Sequence, residues 1–264
     1  MRTATAFALL TLALAASAHA DDLAPGGTLR AAYLASNPAQ AVRDPATGET
    51  RGASADLARE LAKRRNLGVA LVPLANPAAV IDAVAKGEAD IGFVAFAPER
   101  VGTVEFSQVY MLVQQSFIVK DNSPIKSVKD IDVAALRISA GAGDSIALYL
   151  KRKLKNTTLI ETDNTPADAK KKFAANEIDA FGANRQRLTT MLKDMPGYHL
   201  LPDSLFGVTQ TIIVPKGKPE VLVTVNRFLD DVRTSGFLQS AIEKSGVIGL
   251  NAAPAGSWTP SIPD

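Results

Sequence analysis

The stretch "EADIGFVAFAPERVGTVEFSQVY", Glu88 to Tyr110, sets an almost unbroken apolar run, Ile91 to Ala97, directly before the charged turn Pro98-Glu99-Arg100. A short apolar run bounded by turn residues reads as a buried strand. An arginine at its carboxyl end must be hydrated, paired or given a ligand. On this stretch alone a surface turn and a ligand clamp are both open. The surrounding pattern decides between them.

Upstream, "TLRAAYLA" (residues 28–35) reads as a strand, followed by a turn-rich loop through "DPATGETRG". "ADLARELAKRRN" then reads as a helix with Leu57, Ala58, Leu61 and Ala62 on one face and Glu60–Arg64 as an i,i+4 pair. "VALVP" is a second strand. Asn76-Pro77 is a cap followed by proline at the first helical position, opening a helix that stops at Gly87. With "ADIGFVAF" as the third strand, the order is βαβαβ.

The same order returns downstream. "LRISAG" (136–141), "TLIET" and "IDAFGAN" (178–184) read as strands, and "GDSIALYLKRKLKN", Thr165-Pro166 onward and "RQRLTTMLKDM" as helices. A strand "QTIIVPKG" and two helices close the pattern. Such alternation implies parallel strands covered by helices, with ligands at the carboxyl ends of the strands. Two units make two lobes, and a cleft between lobes is where small molecules bind. The predicted division is lobe one from 21–114 and 209–264, and lobe two from 115–208, with crossover strands near Val113–Ser116 and Phe206–Gln210.

Composition narrows the classes. "MRTATAFALLTLALAASAHA" has a basic start, a short apolar core and an A-x-A site, so residues 1–20 are expected to be a secretory signal cleaved after Ala20. There are no cysteines, so packing alone must stabilise the fold. A formal net charge of +2 argues against nucleic acid, and "KRKLK" (151–155) and "KKK" (170–172) read as solvated helix faces. Two histidines, one of them in the leader, offer no zinc constellation, and His199 reads as a structural residue beside a strand. No cofactor is expected, and a monomer is.

Three segments fall at strand ends facing the cleft. "AGAGDS" (140–145) is a glycine loop running into a helix, where Gly141, Ala142 and Gly143 can present backbone N–H groups to an anion. Arg100 can grip a carboxylate with two parallel hydrogen bonds. In "ANRQR" (183–187), Asn184 offers a neutral donor and acceptor, and Arg185 either points into the cleft as a second cation or turns outward. Phe93, Ala95 and Phe96 make that pocket apolar. None of these is a nucleophile beside a base, so catalytic residues are not expected.

The chain resembles the periplasmic amino-acid-binding proteins of ABC importers, the family-3 extracellular solute-binding proteins. The carriers are "GASADLARELAKR", "KGEADIGF", "PERVGTVEFSQVY", "SPIKSVKDID", "AGAGDSIALYL", "NEIDAFGAN" and "IIVPKGKPEVLVTVNRFLDDVRTSG", in this order. The resemblance implies the type II periplasmic binding protein fold: two doubly wound α/β lobes joined by two crossover strands. It implies a periplasmic location, an ABC permease as partner, and closure of the lobes on the solute. It also implies that Arg100 holds the ligand's α-carboxylate, assisted by the loop Gly141–Ser145.

The departures matter as much. Asn184 stands where amino-acid binders carry the aspartate that takes the α-ammonium group. Ser54 replaces the first aspartate of the family's G-F-D-x-D, Asp56 keeps the second, and "SNPAQA" lacks the aromatic that often follows the first strand. Unless Asp144 or Asp56 reaches across to supply that charge, the expected ligand is a small anion, an organic acid lacking an α-ammonium group. An ordinary polar amino-acid binder is one alternative. A cyclohexadienyl-dehydratase-like enzyme on the same fold and a sensory ligand-binding domain are others.

Overall fold

The structure, a computed structural model, describes residues 22–163 and 165–254; the leader expected at 1–20 lies outside them. The first round of elements is β1 (Thr28–Leu34), a small hairpin of β2 (Val42–Arg43) and β3 (Thr50–Arg51), α1 (Ala53–Arg64), β4 (Gly68–Leu74), α2 (Pro77–Ala85), β5 (Ile91–Ala95), β6 (Val104–Phe106) and β7 (Met111–Lys120). The second is β8 (Arg137–Gly141), α3 (Ser145–Lys153), β9 (Thr158–Thr162), α4 (Pro166–Ala174), β10 (Ala180–Asn184), α5 (Arg185–Leu192) and β11 (Tyr198–Leu200). β12 (Phe206–Pro215), α6 (Pro219–Thr234), α7 (Phe237–Ser245) and β13 (Leu250–Ala252) follow.

Local chemistry sets several boundaries. The Asn76 side chain accepts from Ala79 N at 2.9 Å and the Thr165 hydroxyl from Asp168 N at 3.2 Å, each cap being followed by proline. α1 buries the predicted face of Leu57, Ala58, Leu61 and Ala62.

The main sheet runs β4-β1-β5-β12-β7-β10-β8-β9. Within it, β4-β1-β5 and β9-β8-β10 are both parallel, and each lobe places its first strand between its second and third. The sheet is not parallel throughout as the alternation implied. β12 and β7 each lie antiparallel to the last parallel strand of one lobe and to each other, because they carry the chain from one lobe to the other. Gln115–Val119 of β7 pair with β10, and Gln210–Ile213 of β12 with β5; between these the two strands pair through Met111–Gln115 and Phe206–Gln210.

The lobes repeat a detail as well as a topology. Arg30 of β1 donates its backbone N–H, Nε and Nη2 to Asp90 just before β5. Arg137 of β8 does the same to Asp179 just before β10, at 2.8, 3.0 and 2.8 Å. These staples lock the starts of the inner strands, so the opposite ends meet at the cleft in fixed register. One core packs Leu29, Leu57, Leu61, Phe93, Tyr110 and Leu229; another packs Phe117, Ile138, Ile146 and Leu150.

Candidate ligand-binding site

Between the lobes lies a cavity of about 50 Å³. Its lobe-one wall is Leu34, the loop residues Ser36, Asn37 and Gln40, and Phe93, Val94 and Ala95 of β5. Val113, Gln115, Val208 and Gln210 of the crossing strands line it too. Lobe two supplies Asp144, Ser145, Asn184 and Arg187. A larger space of about 730 Å³ at the mouth is bounded by Pro77, Ile81, Arg100, Ala142, Gly143 and Leu148, among others.

Arg100, Ser36 and Pro77 line both spaces, and Arg100 is the charged one of the three. A short 3₁₀ turn, Pro98–Arg100, follows β5 and folds the side chain back. Nη1 donates to Ala95 O at 2.6 Å and meets Ser145 Oγ at 3.5 Å, and Nη2 donates to Gly143 O at 2.6 Å. Burial pulls the guanidinium down to about 10, against the opposing pull of Asp144 and Glu99, so it is charged at neutral pH.

The glycine loop is arranged differently from the simple anion nest that its sequence suggests. Gly141 is buried in β8, Ala142 and Gly143 are exposed, and Gly143 adopts φ 72° and turns its carbonyl to Arg100. Asp144 occupies the cap position of α3, yet its side chain makes no cap hydrogen bond. It pairs instead with Arg187, Nη1 to Oδ2 at 3.0 Å, with side-chain exposures of 16% and 6%. Burial holds the Asp144 carboxyl above its ordinary value, against the downward pull of Arg187 and Arg100.

Asn184 caps α5, its Oδ1 accepting from Arg187 N at 2.8 Å. Its Nδ2 donates across the cleft to Asn37 Oδ1 at 3.0 Å. Gln40 is buried, accepts from Leu34 N at 2.9 Å and donates to Gln210 Oε1 at 3.3 Å. Phe93 lines the cavity and meets Tyr110 edge-on at 6.0 Å.

Three predicted residues line neither space: Gly141, buried in β8, Phe96 and Arg185. Phe96 packs edge-on against Phe106 at 5.2 Å and does not line the inner cavity. Arg185 turns away, donating to Leu201 O at 3.2 Å and Asp203 O at 2.9 Å. The reason is helical: two residues along α5 is a rotation of about 200°, so Arg185 and Arg187 face opposite ways. Arg187 lines the cavity and was not singled out from sequence. Two arginines in the first turn of a helix oppose its dipole, a local departure that the sequence does carry.

Ser54 hydrogen-bonds the Tyr110 hydroxyl at 2.8 Å inside lobe one, and Asp56 pairs with Arg59 on that lobe away from the cavity. His199 sits in β11 with Nδ1 3.1 Å from Asp121. Among the described residues no cluster of His, Cys, Asp or Glu could hold a metal, and no helix is long and apolar enough to cross a membrane.

Comparison with known proteins fits this geometry. Residues 29–246 match the model of the bacterial extracellular solute-binding proteins, family 3. A glutamine-binding protein of Geobacillus stearothermophilus is 29% identical over 167 residues, which are 62% of this chain and 63% of that protein. An ancestral arginine-binding protein bound to arginine is 25% identical with a TM-score of 0.70, covering 83% of this chain and 97% of its own. An ancestral amino acid-binding protein described as a precursor of cyclohexadienyl dehydratase is 26% identical with a TM-score of 0.68, covering 83% and 95%. With its two α/β lobes joined by β7 and β12, this chain has the type II periplasmic binding protein fold and belongs to the family-3 bacterial extracellular solute-binding proteins.

Proposed function

We propose that this protein is the substrate-binding component of an ABC importer and captures a small solute with one carboxylate and no α-ammonium group. The observation that carries the reading is the charge of the inner wall: two guanidiniums, Arg100 and Arg187, against one carboxylate, Asp144. A desolvated site with one excess positive charge is neutralised by one anion. Leu34, Phe93, Val94, Val113 and Val208 offer apolar contact to the rest of the molecule. Asn184 is neutral, and both ends of its amide are engaged by Arg187 N and Asn37. In this reading the ligand carboxylate takes the Nη2 of Arg100 from Gly143 O. The lobes, 21–114 with 209–264 and 115–208, hinge where β7 and β12 pair. The setting is the periplasm, the partner an inner-membrane permease, and the working form a monomer without a cofactor.

One observation favours a second reading, an ordinary polar amino-acid binder. Asp144 lies in the cavity and is the lining carboxylate that could accept an ammonium group, at the expense of sharing it with Arg187. The similarity to glutamine- and arginine-binding proteins points the same way. Mass spectrometry of the small molecule released on denaturing freshly purified protein separates the two. A monocarboxylate without an amine supports the proposal, and a standard amino acid overturns it. Incubation with prephenate or arogenate tests the enzyme alternative, which turnover would favour.

A further inference from the structure

We propose that Asp144 is a built-in counter-anion that confines the cleft to monoanionic ligands, by holding the arginine that a second ligand carboxylate would need. The inference rests on the proposed reading of a carboxylate held at Arg100.

Three observations converge on it. Asp144 stands at the N-cap of α3, where an aspartate side chain ordinarily accepts backbone N–H bonds of its own helix. It makes none, and reaches Arg187 on α5 at 3.0 Å instead. Both side chains are largely buried and both line the inner cavity. Arg187 is buried in the first turn of α5, where the helix dipole disfavours a cation, and the nearby carboxylate offsets that cost. Asp144 is also close enough to Arg100 to favour its charged form. The inner wall thus reads Arg100, Asp144, Arg187, with the carboxylate serving both arginines.

Other charges nearby do not change the count. Glu99 beside Arg100 is paired with Arg152 of α3. Asp163, after β9, lies within electrostatic range of Arg187 but is exposed, hydrogen-bonds Thr165 and borders the outer space.

A monocarboxylate at Arg100 brings the wall to neutrality. A dicarboxylate brings a second anion towards Asp144, in a setting of low dielectric where like charges repel strongly. Removing the Asp144 charge therefore does two things together. It abolishes the repulsion and removes the carboxylate that pairs with Arg187, whose guanidinium can then turn to a ligand carboxylate. Removing the Arg187 charge does the opposite, leaving Arg100 and Asp144 to cancel each other before any ligand enters.

The test is a thermal-shift and calorimetry series with matched acids, propionate to hexanoate against malonate to adipate. It uses the wild type, Asp144→Asn and Arg187→Met. The wild type should prefer the monocarboxylate of the best-fitting length. Asp144→Asn should move the ratio towards the dicarboxylate by about tenfold or more, and Arg187→Met should weaken the monocarboxylate by a similar factor. Wild-type preference for the monocarboxylate with an unchanged ratio in Asp144→Asn overturns the role of Asp144 alone. If Asp144→Asn does not fold, full-strength monocarboxylate binding by Arg187→Met overturns it equally. A wild type stabilised by standard amino acids and by none of these acids overturns the underlying carboxylate reading instead.

Discussion

The Nη2 of Arg100, at the end of a strand in lobe one, donates to the carbonyl of Gly143 in lobe two at 2.6 Å. Nη1 of the same guanidinium donates to Ala95 O of its own lobe at 2.6 Å. One side chain therefore spans the cleft, and the group that would hold a ligand also holds the lobes together. A carboxylate entering here exchanges with a carbonyl, an exchange favoured by the stronger bond that a charged acceptor makes to a guanidinium.

Arg100→Ala should weaken ligand binding by about 2–5 kcal/mol, since the ligand carboxylate would be desolvated without its partner. The fold should survive, because the side chain lies in the cleft and not in either core. Calorimetry with the identified ligand measures this. Unchanged affinity would show that the arginine only links the lobes.

Ligand should close the lobes about the paired segments Met111–Gln115 and Phe206–Gln210, which lie between the parallel strands of the two lobes. Small-angle scattering is expected to give a smaller radius of gyration at saturating ligand than without it. Tight binding with identical scattering curves would count against hinge closure.

The staple in lobe two has a pH signature. Hydrogen bonds from Arg137 hold the Asp179 carboxyl below the usual carboxylate range. A depressed carboxyl stabilises the fold above its unfolded value, about 3.9, and that contribution is lost as pH falls through the folded value. Asp179→Asn should cost about 1 kcal/mol at neutral pH, a modest figure because the pair is partly solvated. Thermal melts at pH 7 and pH 3 should differ less in the variant than in the wild type. An equal drop in both proteins would remove Asp179 from the explanation.

Gly52→Ala is expected to damage the site from a distance. Gly52 has φ 137°, and an added Cβ would lie 2.6 Å from Gln40 O and 2.8 Å from Ala41 Cα. The clash is with backbone, so the loop carrying Asn37 and Gln40 must shift. A loss of about 1–3 kcal/mol in urea unfolding, with weaker ligand binding, is the expected result. A fully stable variant with native affinity would show that the loop relaxes freely.

Legibility in the sequence followed the range of the interactions involved. α2 and α4 were readable because Asn76-Pro77 and Thr165-Pro166 each carry cap and first-turn signals within two residues. β13 was not, because three residues become a strand only by pairing with Met111–Val113, far away in the chain. The hairpin of β2 and β3 is two residues on each side and is hidden in a turn-rich loop. At the candidate site, the cleft positions of Arg100 and Asn184 are legible because strand ends are readable. Arg187 was missed because the face that a residue presents depends on where α5 begins, and a helix start misplaced by one residue rotates that face by about 100°. Asp144 is legible as a charge that can reach into the cleft, but its partner is not, since Arg187 lies on another helix.

The most direct test of the central claim is a thermal-shift comparison of each standard amino acid with its deaminated carboxylate. One or more carboxylates lacking the ammonium group are expected to raise the melting temperature while the parent amino acids do not. Asn184 gives an ammonium no charged partner, and Asp144 is already bound to Arg187 at 3.0 Å. Clear stabilisation by a standard amino acid, with none from its deaminated analogue, would contradict the account and make this protein an ordinary amino-acid binder.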